Sequence, residues 1–467
     1  MAYWRSFILI RRTIVRPWWA TCLFYSSKDT IAVVQATFRP VKNRHKRPTQ
    51  ADLSWEDRLA SVVTPLWRLT YDEQLEVKQK HQEKVLEQLC GGGKIPFPVL
   101  PILPSPVRDG YRNKSTFSIN RGVDGNPKTV GFYVGKWKDR NIVCVNGDHL
   151  PNMPEKHKQV ARCYQEFIRR SSLEPCLLFH EGGHWREVTV RTNAAGHTMA
   201  VVYFHPQGLT RDEVVAQKEE LAEFFACGAG SACELDSLYF QESAMTRCTH
   251  EDSPYQLLFG QTHIYEQMLD FSFRISPDAF FQVNHSAATV LYSAVRDLCA
   301  PSTEDTYGTL LDVCCGTGAM GITASPRVRR LIGVELIEQA VEDARHNAAL
   351  NKLDKCEFIA GKAEVVLPGL VSQLASEDGR LAAVVNPARA GLHHRVIRAL
   401  RNQPAIRRLV YVSCKPDGQA MRNFTELCCA PDPERKLTGD AFSPSLALPV
   451  DMFPHTEHCE LVILFER

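Results

Sequence analysis

The sequence predicts an α/β protein whose C-terminal half is a doubly wound parallel sheet, preceded by a smaller α+β domain. Three observations carry this. From residue 271 onward, apolar strand-like runs alternate with amphipathic helical stretches, the pattern of βαβ units. A glycine turn, Asp312-Val-Cys-Cys-Gly-Thr-Gly318, sits where one such strand passes into a helix. Between 108 and 265, the periodicity instead favours short strands broken by two helices.

The elements follow in chain order. Residues 1–50 hold ten Lys/Arg and a single acid, Asp29. Arg5, Arg11, Arg12 and Arg16 are interleaved with Trp4, Phe7, Ile8, Leu9, Ile10, Val15 and Trp18, a basic amphipathic face like that of a mitochondrial import signal. A basic tail touching nucleic acid is the alternative. Residues 39–50 read as a linker, and 51–107 as a connecting segment. That segment is helical over 55–90, is stopped by Gly91-Gly-Gly93, and then runs extended and Pro-rich to Pro106. Over 108–270, strands are expected at 115–119, 130–134 and 141–145, a helix at 155–170, a hairpin of 186–192 with 198–204, and a helix at 211–225. Over 271–467, a helix at 287–298 leads to strands at 309–313, 330–335, 356–360, 382–386 and 408–413, with helices at 338–351 and 393–401. A last strand at 460–465 should lie antiparallel, at or near an edge.

Composition narrows the function. The 467 residues include 55 Lys/Arg and 53 Asp/Glu, and beyond residue 50 the balance is 45 to 52. The body is therefore acidic overall, and nucleic acid would have to meet a local basic patch. No run of eighteen apolar residues is present, so no membrane span is expected. The sixteen cysteines are scattered, without a CxxC, which argues against zinc-ribbon and iron–sulfur sites and points to a reducing compartment.

The chemistry-bearing residues cluster late in the chain. Gly316 and Gly318 permit a tight turn and close approach to a cofactor. Glu335 ends the next strand, where a carboxylate can accept both hydroxyls of a ribose. Many S-adenosylmethionine enzymes share this arrangement; a flavin- or NAD-type fold or a plain turn is the alternative. The strand leading to Cys414 delivers a thiol at the carboxyl end of a parallel strand, where ligands bind, and Lys415 is placed to favour its thiolate. A structural cysteine is the alternative. Glu460 starts the last strand, with His455 and His458 just before it. One thiol, one carboxylate and one methyl donor suffice to methylate carbon 5 of a pyrimidine. Thiolate addition at carbon 6 makes carbon 5 nucleophilic, and a base then removes the carbon 5 proton so that the thiol can leave.

Six motifs in this order resemble the RNA 5-methyluridine methyltransferases, which modify the T-loop uridine of tRNA or uridines of large rRNA. They are Gly110-Tyr-Arg-Asn-Lys114, Phe280-Phe-Gln-Val-Asn284, Asp312–Gly318, Asn386-Pro-Ala-Arg-Ala-Gly391, Val412-Ser-Cys-Lys-Pro416, and Asp451-Met-Phe-Pro-His-Thr456 with Glu460. The resemblance covers 108–467. It implies a Rossmann-like methyltransferase sheet over 271–467, an RNA-binding domain over 108–270, and S-adenosylmethionine as cofactor. It assigns Cys414 as nucleophile and Glu460 as proton-abstracting base. Gln282, Gly316, Gly318, Glu335 and Asn386 fall to the cofactor region, and Arg112, Lys114 and Phe281 to the RNA. The four-cysteine cluster and small β-barrel of rRNA-specific members are not seen, which favours tRNA. With the import-like leader, a mitochondrial matrix enzyme acting on mitochondrial tRNA is expected, without an obligate protein partner. One departure stands out: Asn386-Pro-Ala-Arg389 replaces the family's Asp-Pro-Pro-Arg, so an amide stands in place of an anion. Two other readings stay open: mitochondrial rRNA as substrate, and a weakly catalytic or non-catalytic RNA-binding factor.

Overall fold

The computed structural model describes residues 53–135, 141–177, 182–243, 253–299, 307–377 and 381–467. The expected leader at 1–50 lies outside the described residues.

Two helices stand where one helical segment was expected, α1 (Trp55–Val63) and α2 (Tyr71–Leu89). Pro65 lies in the turn between them, where it cannot continue α1. Thr70 then restarts the helix through a capping box with Glu73.

The first sheet contains β1 (Lys114–Asn120), β2 (Thr129–Val134), β3 (Val143–Val145), β4 (Trp185–Thr192), β5 (Thr198–Phe204), β6 (Ser237–Glu242) and β7 (Gln256–Gly260), in the order β3-β2-β1-β4-β5-β6-β7. Its neighbours pair antiparallel except β5 and β6, which are parallel. That pair needs a crossover, and α4 (Arg211–Ala226) provides it; α3 (Glu155–Arg170) packs in the same core. The centre of this core is aromatic, with Trp185 meeting Phe167, Tyr164 and Phe204 edge-on. A separate hairpin, β8 (Ile264–Met268) with β9 (Phe271–Ile275), precedes α5 (His285–Cys299).

The second sheet follows the alternation read from the sequence: β10 (Tyr307–Val313), α6 (Ala319–Ala324), β11 (Val328–Glu335), α7 (Glu338–Leu350), β12 (Cys356–Ala360), α8 (Ala363–Glu377), β13 (Leu381–Val385), α9 (His394–Asn402), β14 (Ile406–Ser413), α10 (Gln419–Cys428), β15 (Ser443–Val450) and β16 (Glu460–Glu466). The spatial order is β12-β11-β10-β13-β14-β16-β15. The chain starts in the middle at β10, winds outward to β12, then returns to β13 on the other side. The reversal opens a crevice at the carboxyl ends of β10 and β13. The central strands are buried on both faces, which explains their unbroken apolar runs. The last strand is antiparallel, as expected, and lies one place in from the edge between β14 and β15.

Strands β6 to β9 and β15, and helices α8 and α10, were not read from the sequence. Their local signals are mixed. Strand β15 carries Pro444 and Pro449, which suit only an edge, and α8 contains Pro368.

Candidate active site

Three strand ends converge on one spot. Cys414 directly follows β14 and is half-buried. Asn386 directly follows β13, half-buried, with its backbone N–H toward the Val313 carbonyl at 3.4 Å. Glu460 opens β16 and is 3% exposed. Because β16 runs antiparallel to β14, its first residues lie beside the last residues of β14, with Ser413 opposite Leu461. An acid and a thiol far apart in sequence are thereby brought together.

The electrostatics couple these groups. Burial raises the Cys414 thiol above its ordinary value and the Glu460 charge raises it further, while Arg389 pulls it down by charge and by a hydrogen bond. Burial also pushes the Glu460 carboxyl up to about 7, against the pull of Arg389. Glu460 Oε2 has no hydrogen-bond partner among the described residues, so a buried acceptor faces the site unused. The cation acting on the thiol is thus Arg389 rather than Lys415, although both residues are exposed. Sequence reading passed over Arg389, although it sits in the motif that singled out Asn386.

The glycine turn forms the neighbouring wall. Gly316 (φ 56°) and Gly318 (φ 77°) are left-handed, as is Cys314 (φ 64°), which carries the strain of a side chain there. A Cβ on Gly318 would lie 2.9 Å from the Phe358 ring, whereas the same position on Gly316 faces open space. Glu335 ends β11 and accepts from Gly316 N at 3.0 Å, Leu336 N at 2.7 Å and Ile337 N at 3.2 Å. Beyond it, Leu336 and Ile337 are more than half exposed, an apolar lip on which a ring can lie. Asp312 is buried beneath the turn, accepts from Gly321 N at 2.9 Å, and is pushed up to about 7 by burial; its Oδ1 has no partner among the described residues. A carboxylate for a diol, an open glycine wall and an apolar lip fit the nucleoside half of S-adenosylmethionine. Gln282 is buried, and its carbonyl accepts from Asn113 Nδ2 at 2.8 Å.

The residues expected at the RNA sit differently. Phe281 is 4% exposed and packs against Phe273, so its ring belongs to the core and is not available to RNA. The extended segment presents alternate residues to alternate sides, and its neighbour Phe280 is 67% exposed. Arg112 and Lys114 are half-buried. Arg112 donates from Nε to the Lys114 carbonyl at 3.2 Å, and its backbone bridges to Asn284. Burial lowers Lys114 to about 7, helped by the charge of Arg191, its cross-strand partner.

The loop before Glu460 is held from outside both sheets. Lys78 on α2 donates to Asp451 Oδ1 at 2.6 Å and to the Phe453 carbonyl at 2.9 Å. Tyr71 donates to Asp451 Oδ2 at 2.9 Å, and Gln74 accepts from His455 N at 2.7 Å. His455 reaches Asp109 at 2.8 Å, so it serves this brace. The role of α2 was not legible, since it appeared only as a connector.

Comparison with known proteins agrees with the fold. Residues 255–467 match the family described as tRNA (Uracil-5-)-methyltransferase. The chain is 62% identical over 443 residues to tRNA (uracil-5-)-methyltransferase homolog B of Danio rerio, covering 92% of this chain and 91% of that protein. It is 54% identical over 459 residues to homolog B of Homo sapiens, covering 94% and 90%. Among solved structures, it is similar to the Pyrococcus abyssi tRNA (uracil-54, C5)-methyltransferase in complex with S-adenosyl-L-homocysteine. That likeness has 25% identity and a TM-score of 0.62, over 86% of each chain.

Proposed function

The chain belongs to the tRNA (uracil-5-)-methyltransferase family, and on that premise we propose how and where it acts. It transfers a methyl group from S-adenosylmethionine to carbon 5 of a uridine in mitochondrial tRNA, the T-loop uridine, through a covalent Cys414–uracil intermediate that Glu460 resolves. The observation that carries the mechanism is the convergence of Cys414, Glu460 and Arg389 at adjoining strand ends beside the glycine turn.

The Cys414 thiolate, favoured by Arg389, adds to carbon 6, and the ring electrons move onto the carbon 4 oxygen. Carbon 5 is then the nucleophile; S-adenosylmethionine, when bound, would supply the methyl group as its sulfur–methyl bond breaks, and would leave as S-adenosylhomocysteine. Gly316, Gly318 and Glu335 would hold that cofactor, with Gln282 and Asn386 beside it, while Asp312 supports the turn from beneath through Gly321 N. Glu460, its affinity for a proton raised to the neutral range, takes the proton from carbon 5, and the carbon–sulfur bond breaks to return the thiolate. Asn386 lies where an amide can hold the uracil edge. The basic, nearly acid-free residues 1–50 support delivery to the mitochondrial matrix.

A second reading, a weakly catalytic or non-catalytic RNA-binding factor, rests on Asn386 in place of the family's aspartate. Mitochondrial rRNA is the other substrate to test. The decisive measurement is 5-methyluridine in mitochondrial tRNA and rRNA from cells lacking the protein. Its loss from tRNA is expected, and its persistence there would defeat the proposal. In vitro, RNA containing 5-fluorouracil should form a stable adduct, because fluorine cannot leave as a cation. Cys414→Ala should abolish that adduct and all methyl transfer.

A further inference from the structure

Helices α9 and α10 leave the crevice from the two loops that carry Arg389 and Cys414, and between them lies a feature that the reaction does not use. Residues 386–440 carry ten Lys/Arg against five Asp/Glu, although the chain beyond residue 50 is acidic overall. A cavity of about 430 Å³ opens there, lined by His394, Arg398, Arg422, Glu426, Arg435 and Leu437. Arg422 pairs with Glu426 at 3.1 Å and Arg435 with Asp432 at 3.4 Å, while Arg398 has no ion-pair partner among the described residues. Beneath the cavity, the fully buried Arg401 donates to the Glu426 carbonyl at 2.6 Å and the Cys429 carbonyl at 2.6 Å, which adds another positive charge.

The cavity is tied to the catalytic loops. Asn423 on α10 accepts from Leu392 N at 2.7 Å and donates to the Leu392 carbonyl at 3.0 Å. Tyr411 on β14 donates to the same Asn423 oxygen at 2.9 Å. The turn before α9, the middle of α10 and the strand leading to Cys414 are therefore tied together through one amide. An anion held in the cavity would stand in a fixed relation to the nucleophile.

We propose that this cavity takes a phosphodiester of the tRNA backbone, away from the uridine that enters the crevice. Guanidinium groups match phosphate oxygens in pairs, and an acidic body needs such a local patch to hold RNA. The inference rests on the RNA-methylating reading above and adds the surface that the RNA lies against.

The test is tRNA affinity measured against salt for the full chain and for Arg398→Ala/Arg435→Ala. Losing the one phosphate contact should flatten the log–log salt slope by roughly 0.7–0.9 units. Methylation should show the loss in KM for tRNA, with binding of S-adenosylhomocysteine unchanged. Arg398→Lys/Arg435→Lys keeps the charge and should recover most of the slope. An unchanged slope overturns the proposal, with or without weaker binding, and so does a Lys variant as defective as the Ala variant. Inorganic phosphate at matched ionic strength should compete no better than chloride. If it binds the wild type and the Ala variant loses only that binding, the cavity is a free-phosphate site and the RNA assignment fails. Binding is read without methyl transfer, so a wild type that binds tRNA but makes no 5-methyluridine would defeat the catalytic reading alone.

Discussion

Replacing Lys78 with Met should unfasten the loop that delivers Glu460. Lys78 and Asp451 form an ion pair at 2.6 Å with both side chains fully buried. Methionine keeps the length of the stem and removes the charge. Asp451 retains the Tyr71 hydroxyl at 2.9 Å and Phe453 N at 3.1 Å, but no cation. Breaking a buried pair from one side costs about 3–5 kcal/mol, because the remaining charge is left uncompensated. Lys78→Met/Asp451→Asn removes both charges and keeps an acceptor for Tyr71, so it should cost less than the single variant. The double-mutant cycle should then give a coupling of a few kcal/mol, about 2–3. Urea unfolding, read as the shift in midpoint at constant m, measures each variant. There is a catalytic signature as well. Asp451 directly follows Val450, the strand partner of Glu460, so a loosened loop should impair proton removal more than thiol addition. Lys78→Met should therefore still form the 5-fluorouracil adduct and accumulate adduct on ordinary RNA. A Lys78→Met protein within about 1 kcal/mol of wild type, or a double variant no better than the single, would refute the reasoning.

Four further outcomes are expected. Glu460→Gln should trap the protein on ordinary RNA as a gel-stable adduct, since an amide cannot take the carbon 5 proton; normal turnover would remove Glu460 from the mechanism. The folded-state value of Glu460, about 7, lies above its ordinary 4.5, so wild type should lose stability relative to Glu460→Gln as pH rises from 4.5 to 7, and no more beyond. The full difference is about 3 kcal/mol, read from paired melts, while turnover should rise over the same range as the base deprotonates. Asn386→Asp should speed methylation by roughly ten- to hundredfold, since a charged hydrogen bond is worth about 1.5–3 kcal/mol; abolished activity would mean that the amide is a retuned contact. Residues 1–50 fused to a fluorescent reporter should enter mitochondria and be cleaved, and a diffuse cytosolic or nuclear signal would revive the basic-tail reading.

What the chain reveals by itself is local. Apolar runs of strand length between helical stretches, two glycines where backbone must turn left-handed, and a cysteine at the end of a buried strand are properties of short windows. From them the doubly wound sheet, the turn at Gly316 and Gly318, and the strand end of Cys414 could be read. Strand β15 escaped because its prolines obscure a strand signal and its place at the edge depends on β16.

Tertiary structure decided the rest. Glu460 meets Cys414 only because β16 inserts antiparallel beside β14, a pairing set by register between distant segments. The backbone period puts Phe280 and Phe281 on opposite sides, but only the core formed with Phe273 decides that Phe281 is the one inside. The choice of Arg389 over Lys415 as the cation at the thiol depends on where two loops fold back, and the brace from α2 depends on a contact between residues 78 and 451. Local propensity acts through neighbours in the chain, whereas burial and charge act through neighbours in space, and this site is assembled almost wholly by the second.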